Sequence, residues 1–170
     1  MDFLLLLDFL GFYGPVLLIV INVIVLWSDG RSPSNRWYYI LLFLLGAGLD
    51  NYINHILKHI MKEPRPEKCK PSVFDPCTGL TPDYGMPSGH AESAVYGWTF
   101  LWLMNPRLSW STGFGAFLVM MTWLHRYVYR RHTIEQLFVG SFLGAVTAIG
   151  IYYIGTYIFS FLTKILSIGT

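Results

Sequence analysis

The chain has 170 residues, of which 54% are hydrophobic and 13% are charged, and its formal net charge is +2. A soluble chain of this length cannot hide so much apolar surface in one core, so a soluble globular domain is excluded. Hydrophobic runs of about 20 residues match the thickness of a bilayer. The composition therefore predicts a polytopic membrane protein whose partner is the lipid bilayer, with no nucleic-acid partner.

The hydrophobic runs predict an all-α transmembrane helix bundle of about five to six spans. The first run lacks the basic region and cleavage site of a signal peptide, so it is interpreted as a retained span, with a kink at Gly14-Pro15. The tail after the fifth run either extends that helix or lies in the membrane interface. The runs cover approximately Phe3–Trp27, Trp37–Lys58, Ser88–Asn105, Leu108–Leu124 and His132–Ile158.

Five spans place three polar segments on the same side of the membrane: the loop after span two, the start of span three and the junction between spans four and five. Most basic residues crowd this side, which the positive-inside rule alone would place in the cytoplasm. Cys69 and Cys77 share the first of these segments. They either form a disulfide in an oxidising compartment or stay reduced, and the sequence leaves both the pairing and the orientation open.

The first polar patch lies at the end of the second span. Asn51, Asn54, His55 and Lys58 fall at i, i+3, i+4 and i+7, which is one face of a helix. The two asparagines serve either as interhelical hydrogen-bond partners or in function. Lys58 and Arg65 differ from them, because two cations that converge at a helix end require an anion.

The second patch is Pro87-Ser88-Gly89-His90. Pro87 cannot continue a helix, and Ser88 is a favoured N-cap residue. Gly89 and His90 then occupy the first helical turn, where backbone N–H groups have no intrahelical partner and can bind phosphate. The alternative is an ordinary helix cap followed by a surface histidine.

The third patch, His125 to Gln136, brings Arg126 and His132 to the junction between spans four and five. Histidines and basic residues from three separate places thus meet at one face of the membrane. Their convergence predicts a phosphoryl or similar oxyanion ligand. No His, Cys and carboxylate set has metal-ligand spacing, so neither a metal nor another cofactor is expected.

The order and spacing of the three patches resemble the type 2 phosphatidic acid phosphatase superfamily, and the motifs look closest to its dolichyl diphosphate phosphatase branch. The resemblance covers residues 58–136 and implies that residues 1–170 form a single membrane-embedded phosphatase domain. The matching signature is Lys58, six residues, Arg65-Pro66, then Pro87-Ser88-Gly89-His90, then Arg126, five residues and His132.

The resemblance implies a phosphate-binding role for five residues. Lys58, Arg65 and Arg126 would clamp phosphate oxygens, while Ser88 and the Gly89 amide would complete the cradle. Clustered cations suit this reaction, because phosphoryl transfer depends mainly on positioning and charge stabilisation.

The resemblance also makes His132 the nucleophile that takes the phosphoryl group, and His90 the general acid that protonates the leaving oxygen and later activates water. His132 must then be neutral and His90 protonated. Two positions depart from the common family pattern. Gln136 stands where the family commonly has Asp to orient the nucleophile, with Glu135 as an alternative partner. His125 stands where the family commonly has Ser.

The function expected from this resemblance is hydrolysis of a lipid phosphate or a polyprenyl diphosphate through a phosphohistidine. The site would face the lumenal or extracytoplasmic side of the endoplasmic reticulum or of a plasma or inner membrane. The alternatives are a sugar-phosphate hydrolase of the glucose-6-phosphatase kind and a catalytically silent lipid-phosphate-binding protein. An ion or proton pathway through Asp8, Asp50 and His55 is a further alternative, although Asp8 lies near a helix end and could snorkel.

A small-xxx-small pattern, Gly140 and Gly144, lies in the fifth span. It indicates close helix packing within the chain, with dimerisation as the alternative. The sequence leaves the oligomeric state open.

Overall fold

The computed structural model describes residues 2–28, 30–77, 84–105 and 109–168. Within these ranges the chain forms five helices and no strand, which confirms the predicted all-α bundle. The helices appear in the predicted order. Their bounds are α1 (Phe3–Ser28), α2 (Pro33–Met61), α3 (Gly89–Met104), α4 (Trp110–Val128) and α5 (Ile134–Ile168).

In the part of the chain that the structure describes, α1, α2 and α5 are long and apolar enough to cross a membrane. α2 begins at Pro33, earlier than the predicted Trp37, because proline is well suited to the first helical turn. α5 continues without a break to Ile168, so the tail extends this helix rather than forming a separate interfacial segment. Large apolar side chains cover the outside of the bundle, as expected of an integral membrane protein.

The packing of α5 against α3 depends on two glycines. A Cβ at Gly140 would overlap the backbone of Ser88, and a Cβ at Gly144 would overlap the backbone of Glu92. These contacts favour the interpretation of the small-xxx-small pattern as packing within the chain. They also bring the N-terminus of α3 against the first turns of α5, where the Ser88 N–H donates to the Gln136 carbonyl over 3.1 Å.

The packing of α1 against α4 depends on a second pair of glycines. A Cβ at Gly11 would overlap the side chain of His125, and a Cβ at Gly14 would overlap the Thr122 hydroxyl. α1 therefore fixes the last turns of α4, which carry His125 and Arg126. The helix continues through Pro15.

The connection between α2 and α3 contains a disulfide between Cys69 and Cys77, whose Cα atoms are 6.2 Å apart. The sequence left open whether these two cysteines are paired, and the structure shows that they are. We refer to residues 69–77 as the disulfide loop. The connection is also attached to the helices, since the Gly85 N–H donates to the Glu63 carbonyl over 2.7 Å and the Lys70 N–H donates to the Tyr129 carbonyl over 3.1 Å.

Candidate active site

A cavity of about 350 Å³ lies at the end of the bundle where α2 ends and α3 begins. Six of the residues singled out in the sequence line it together, although they come from three separate patches of the chain. Ser88 and Gln136 are buried and are not among its lining residues. The lining consists of Phe12, Lys58, Arg65, Phe74, Asp75, Pro76, Gly89, His90, Arg126 and His132.

His132 lies between α4 and α5 and is almost completely buried. Its Nδ1 is 2.9 Å from the Gly85 carbonyl oxygen and 3.2 Å from Oε1 of Gln136. Both partners are acceptors, so Nδ1 carries the proton and Nε2 keeps the lone pair. Burial, together with the charges of Arg126 and Arg65, holds the pKa of His132 well below its usual range. The ring is therefore neutral, with an unprotonated nitrogen available for nucleophilic attack.

The amide of Gln136 is fixed by four contacts. Its Oε1 faces Nδ1 of His132 and also accepts from the Thr133 N–H over 3.2 Å. Its Nε2 donates to Oε1 of Glu63 and to the Pro64 carbonyl, both over 2.9 Å. This pattern determines which end of the amide faces the imidazole. Gln136, and not the exposed Glu135, contacts the His132 ring.

Glu63 is a residue that the sequence analysis missed. It connects to His132 through Gln136, so a carboxylate lies behind the histidine even though the position next to the ring is an amide. Its proximity to the Pro64-Arg65 motif was the available signal. Gly85 was also missed, and a Cβ there would overlap the Gln136 amide.

Arg126 lies in the last turn of α4 and is buried. Its Nη1 donates to Oδ2 of Asp75 over 2.5 Å, and its Nη2 donates to Nδ1 of His90 over 2.7 Å. Because arginine only donates, Nδ1 of His90 is the acceptor, and the proton of the neutral ring is on Nε2. Arg126 thus links a carboxylate on one side to the second histidine on the other.

Lys58 and Arg65 bring further positive charge to the cavity. Nζ of Lys58 donates to the Pro87 carbonyl over 2.6 Å and to the Tyr84 carbonyl over 3.3 Å. These contacts attach the end of α2 to the start of α3. With Arg126, the two residues place three cations around one cavity, which suits binding of a phosphate group.

α3 begins at Gly89, with Ser88 at the N-cap position, as the sequence predicts. The Ser88 side chain makes no capping hydrogen bond, and its hydroxyl is buried with no partner among the described residues. The amides of the first turn at Gly89 and His90 lie at the cavity, where a helix N-terminus favours an anion.

The polar face of α2 agrees with the predicted one at Asn54 and Lys58 but not at Asn51 and His55. Asn54 points inward, with Nδ2 donating to Oε2 of Glu92 over 2.5 Å and to the Pro87 carbonyl over 3.4 Å. It is thus an interhelical hydrogen-bond partner that supports the start of α3. Asn51 and His55 are exposed instead, because the buried face contains Asp50, Asn54 and the half-buried Lys58, which repeat every four residues.

The Asp8 side chain does not snorkel toward the membrane–water interface. It is buried, and its Oδ1 is 2.9 Å from Nε2 of His125. Its Oδ2 accepts from the Val73 N–H over 2.7 Å and from the Phe74 N–H over 3.2 Å. Asp8 is thus occupied by His125 and the backbone at Val73 and Phe74, and His55 is exposed.

The site lies inside a region that matches a known family. The model of the PAP2 superfamily matches residues 39–160. Dolichyldiphosphatase 1 from Mus musculus is 32% identical over 129 residues, which cover 67% of this chain and 52% of the relative. The Homo sapiens protein of that name is 31% identical over 130 residues, with the same coverage of 67% and 52%.

A third relative, Dolichyldiphosphatase 1 from Plecturocebus moloch, is 30% identical over 154 residues, which cover 80% of this chain and 58% of the relative. The chain thus spans about half the length of the curated relatives it matches. No solved structure matches the chain significantly.

Proposed function

This chain belongs to the PAP2 superfamily, and from this premise we propose that it is an integral membrane phosphatase that hydrolyses a lipid phosphate or polyprenyl diphosphate. One observation carries the proposal. His132 holds its proton on Nδ1, so Nε2 is available as a nucleophile in a cavity that Lys58, Arg65 and Arg126 also line.

The first step is attack by Nε2 of His132 on the terminal phosphorus. The phosphorus–oxygen bond to the leaving group breaks, and the phosphoryl group is transferred to the ring. Nδ1 keeps its proton, which Gly85 and Gln136 hold through their oxygens. Lys58, Arg65 and Arg126 stabilise the charge that develops on the phosphoryl oxygens.

His90 supplies the proton that the leaving oxygen takes. Phosphate would compete for the Arg126 Nη2 donor that now contacts Nδ1 of His90. Loss of this donor and the added negative charge both favour the imidazolium form of His90. In the second step His90 accepts a proton from water, which attacks phosphorus, releases inorganic phosphate and regenerates His132.

A polyprenyl diphosphate is the favoured substrate. The relatives described above are named dolichyldiphosphatases, and the region that matches the PAP2 superfamily, residues 39–160, contains the residues of the proposed site. A lipid substrate also suits a cavity in a helical membrane bundle, because the headgroup can reach it while the tail stays in the acyl phase. The reaction would release inorganic phosphate and leave the polyprenyl monophosphate.

The lumenal face of the endoplasmic reticulum is the proposed location of the site. The disulfide between Cys69 and Cys77 supports this side, because disulfides persist in oxidising compartments. The basic residues around the site do not argue against it, since Lys58, Arg65 and Arg126 have a function that the positive-inside rule does not consider.

The substrate class is tested with purified protein in detergent. The panel contains polyprenyl diphosphates, phosphatidic acid, phosphatidylglycerol phosphate and glucose 6-phosphate. We expect phosphate release from the polyprenyl diphosphates, inhibition by orthovanadate and no loss of activity with EDTA. Preferred hydrolysis of glucose 6-phosphate would select the sugar-phosphate alternative, and vanadate binding without any hydrolysis would select a silent binder.

The pH dependence of kcat/KM should be bell-shaped, with its acid limb below the ordinary histidine pKa of about 6.5. The reason is the depressed pKa of His132, which keeps Nε2 unprotonated as the pH falls through that value. The rate is measured from about pH 4 to pH 9, with the phosphate titration of the substrate determined separately by ³¹P NMR. A flat profile, or an acid limb above about pH 6.5, would contradict the assignment.

Replacing Gln136 by Glu should lower kcat about tenfold or more. The change removes the Nε2 amide group, which donates to Glu63 and to the Pro64 carbonyl. It also places a second carboxylate beside Glu63, where the amide nitrogen now lies 2.9 Å from Oε1. Adding Glu63→Gln to the Gln136→Glu variant should restore part of the activity, because an amide at one of the two positions again faces a carboxylate at the other. Glu135→Gln is the matched control and should leave the rate unchanged, since Glu135 is exposed. Equal losses in Glu135→Gln would contradict the proposed role of Gln136.

A further inference from the structure

The disulfide loop forms part of the wall of the cavity. Phe74, Asp75 and Pro76 line it together with the proposed catalytic residues. The loop is closed at its base by the bond between Cys69 and Cys77. The three lining residues thus belong to a short covalent ring beside the cavity.

Asp75 lies between two buried arginines. Oδ2 accepts from Nη1 of Arg126 over 2.5 Å, and Oδ1 is 3.1 Å from Nη2 of Arg131. The same Arg131 nitrogen also donates to the backbone carbonyl of Asp75. Arg126 and Arg131 are almost completely buried, and two adjacent buried cations require a counter-ion. Asp75 supplies it.

The contact with Asp75 occupies Nη1 of the Arg126 guanidinium. The neighbouring donors Nε and Nη2 form the other edge of the planar guanidinium. Among the described residues, Nε is buried with no hydrogen-bond partner, and Nη2 donates to the neutral ring of His90. Two adjacent donors of this kind match two oxygens of a phosphate group.

A second attachment fixes the loop to the helix that carries Arg126. Asp8 of α1 accepts from the backbone N–H groups of Val73 and Phe74 through Oδ2, and its Oδ1 contacts Nε2 of His125. His125 immediately precedes Arg126 in α4. The disulfide loop is therefore attached to the end of α4 twice, through the buried Asp8 carboxylate and through the ion pair between Asp75 and Arg126.

We propose that Asp75 is a positioning residue, which holds Arg126 so that its Nε–Nη2 edge faces the substrate phosphate. The inference rests on the proposed function in taking the ligand of the cavity to be a phosphoryl group. It adds the disulfide loop to the site. It also gives the histidine at position 125 a role, since this residue contacts the carboxylate that fixes the loop.

The test measures binding of orthovanadate to the detergent-solubilised full chain by calorimetry, which requires no turnover. Asp75→Ala should weaken vanadate binding about tenfold or more, because Arg126 loses the contact that orients it. Asp75→Asn should weaken it less, since the amide oxygen can still accept from Arg126. Val73→Ala is the matched control in the same loop, because this side chain is 74% exposed while its N–H is retained. It should bind vanadate like the unchanged protein.

A double-mutant cycle separates positioning from general loss of structure. If Asp75 acts through Arg126, then Asp75→Ala should have no further effect on vanadate binding in an Arg126→Ala protein. Additive losses, or an Asp75→Ala protein with unchanged affinity, would overturn the inference. Should Asp75→Ala fail to fold, shown by loss of the monodisperse peak in size-exclusion chromatography, the cycle is run with Asp75→Asn. Normal vanadate binding without phosphate release would overturn the proposed function but leave this test intact.

Discussion

Replacing His132 by alanine is expected to lower the rate of phosphate release by about four orders of magnitude or more. The loss is this large because Nε2 of His132 is the only atom proposed to bond to the transferred phosphorus. The hydrogen bonds from Nδ1 to Gly85 and Gln136 hold that nitrogen in place but cannot substitute for it. Single-turnover kinetics with a radiolabelled diphosphate would measure the rate.

The same experiment should trap the intermediate. Rapid quenching in base should retain the label on the unchanged protein, and acid should release it, because a phosphoramidate bond is labile in acid. The matched control is His55→Ala, which removes an exposed histidine from α2 and should leave both the rate and the labelling unchanged. Phosphate release that survives His132→Ala would refute the phosphohistidine mechanism.

Replacing Arg126 by alanine should reduce kcat/KM about a thousandfold. The variant loses a positive charge that the transition state needs, together with the guanidinium donors proposed to bind two phosphoryl oxygens. Arg126→Lys should recover only part of the activity, because an ammonium group cannot offer two parallel donors from one planar edge. Steady-state kinetics on the preferred substrate provides the measurement.

The control for this series is Lys68→Ala, which removes an exposed cation from the same connection. Its activity should stay within about twofold of the unchanged protein, since exposed charges contribute little. A similar loss in both variants would mean that the overall positive charge, and not the geometry of Arg126, determines the rate.

The helices could be predicted because each corresponds to a continuous hydrophobic run, and such a run can be read directly from neighbouring residues in the sequence. The first and last residues of the helices were less predictable. α2 includes Pro33 and the polar residues after it, where hydropathy alone gives no helix signal. The direction of its polar face was predicted only in part: Asn54 and Lys58 lie on the inward face, whereas Asn51 and His55 are exposed. The i, i+3, i+4, i+7 pattern from Asn51 is as regular as the inward i, i+4, i+8 pattern from Asp50, so spacing alone could not separate them.

The convergence of the charged site residues could be predicted because their motifs fix both residue type and spacing. Asp75, Glu63 and Asp8 could not be identified in this way. Each acts through a contact between a loop or α1 and a distant helix, with sequence separations of 51, 73 and 117 residues respectively. No local pattern encodes such a pair. The weak signal for Asp75 was an acidic residue between two cysteines on the side of the membrane that contains the site.

The shortness of α3 has a kinetic consequence. Its 16 residues rise about 24 Å, less than the hydrocarbon core of about 30 Å. A helix of this length cannot reach both surfaces of the hydrocarbon core. Under the proposed function, the substrate is a lipid diphosphate that its tail anchors in the same membrane. Encounter with the enzyme is then a two-dimensional search. The rate should follow the mole fraction of substrate in the micelle or bilayer, so that adding inert detergent at constant total substrate slows hydrolysis.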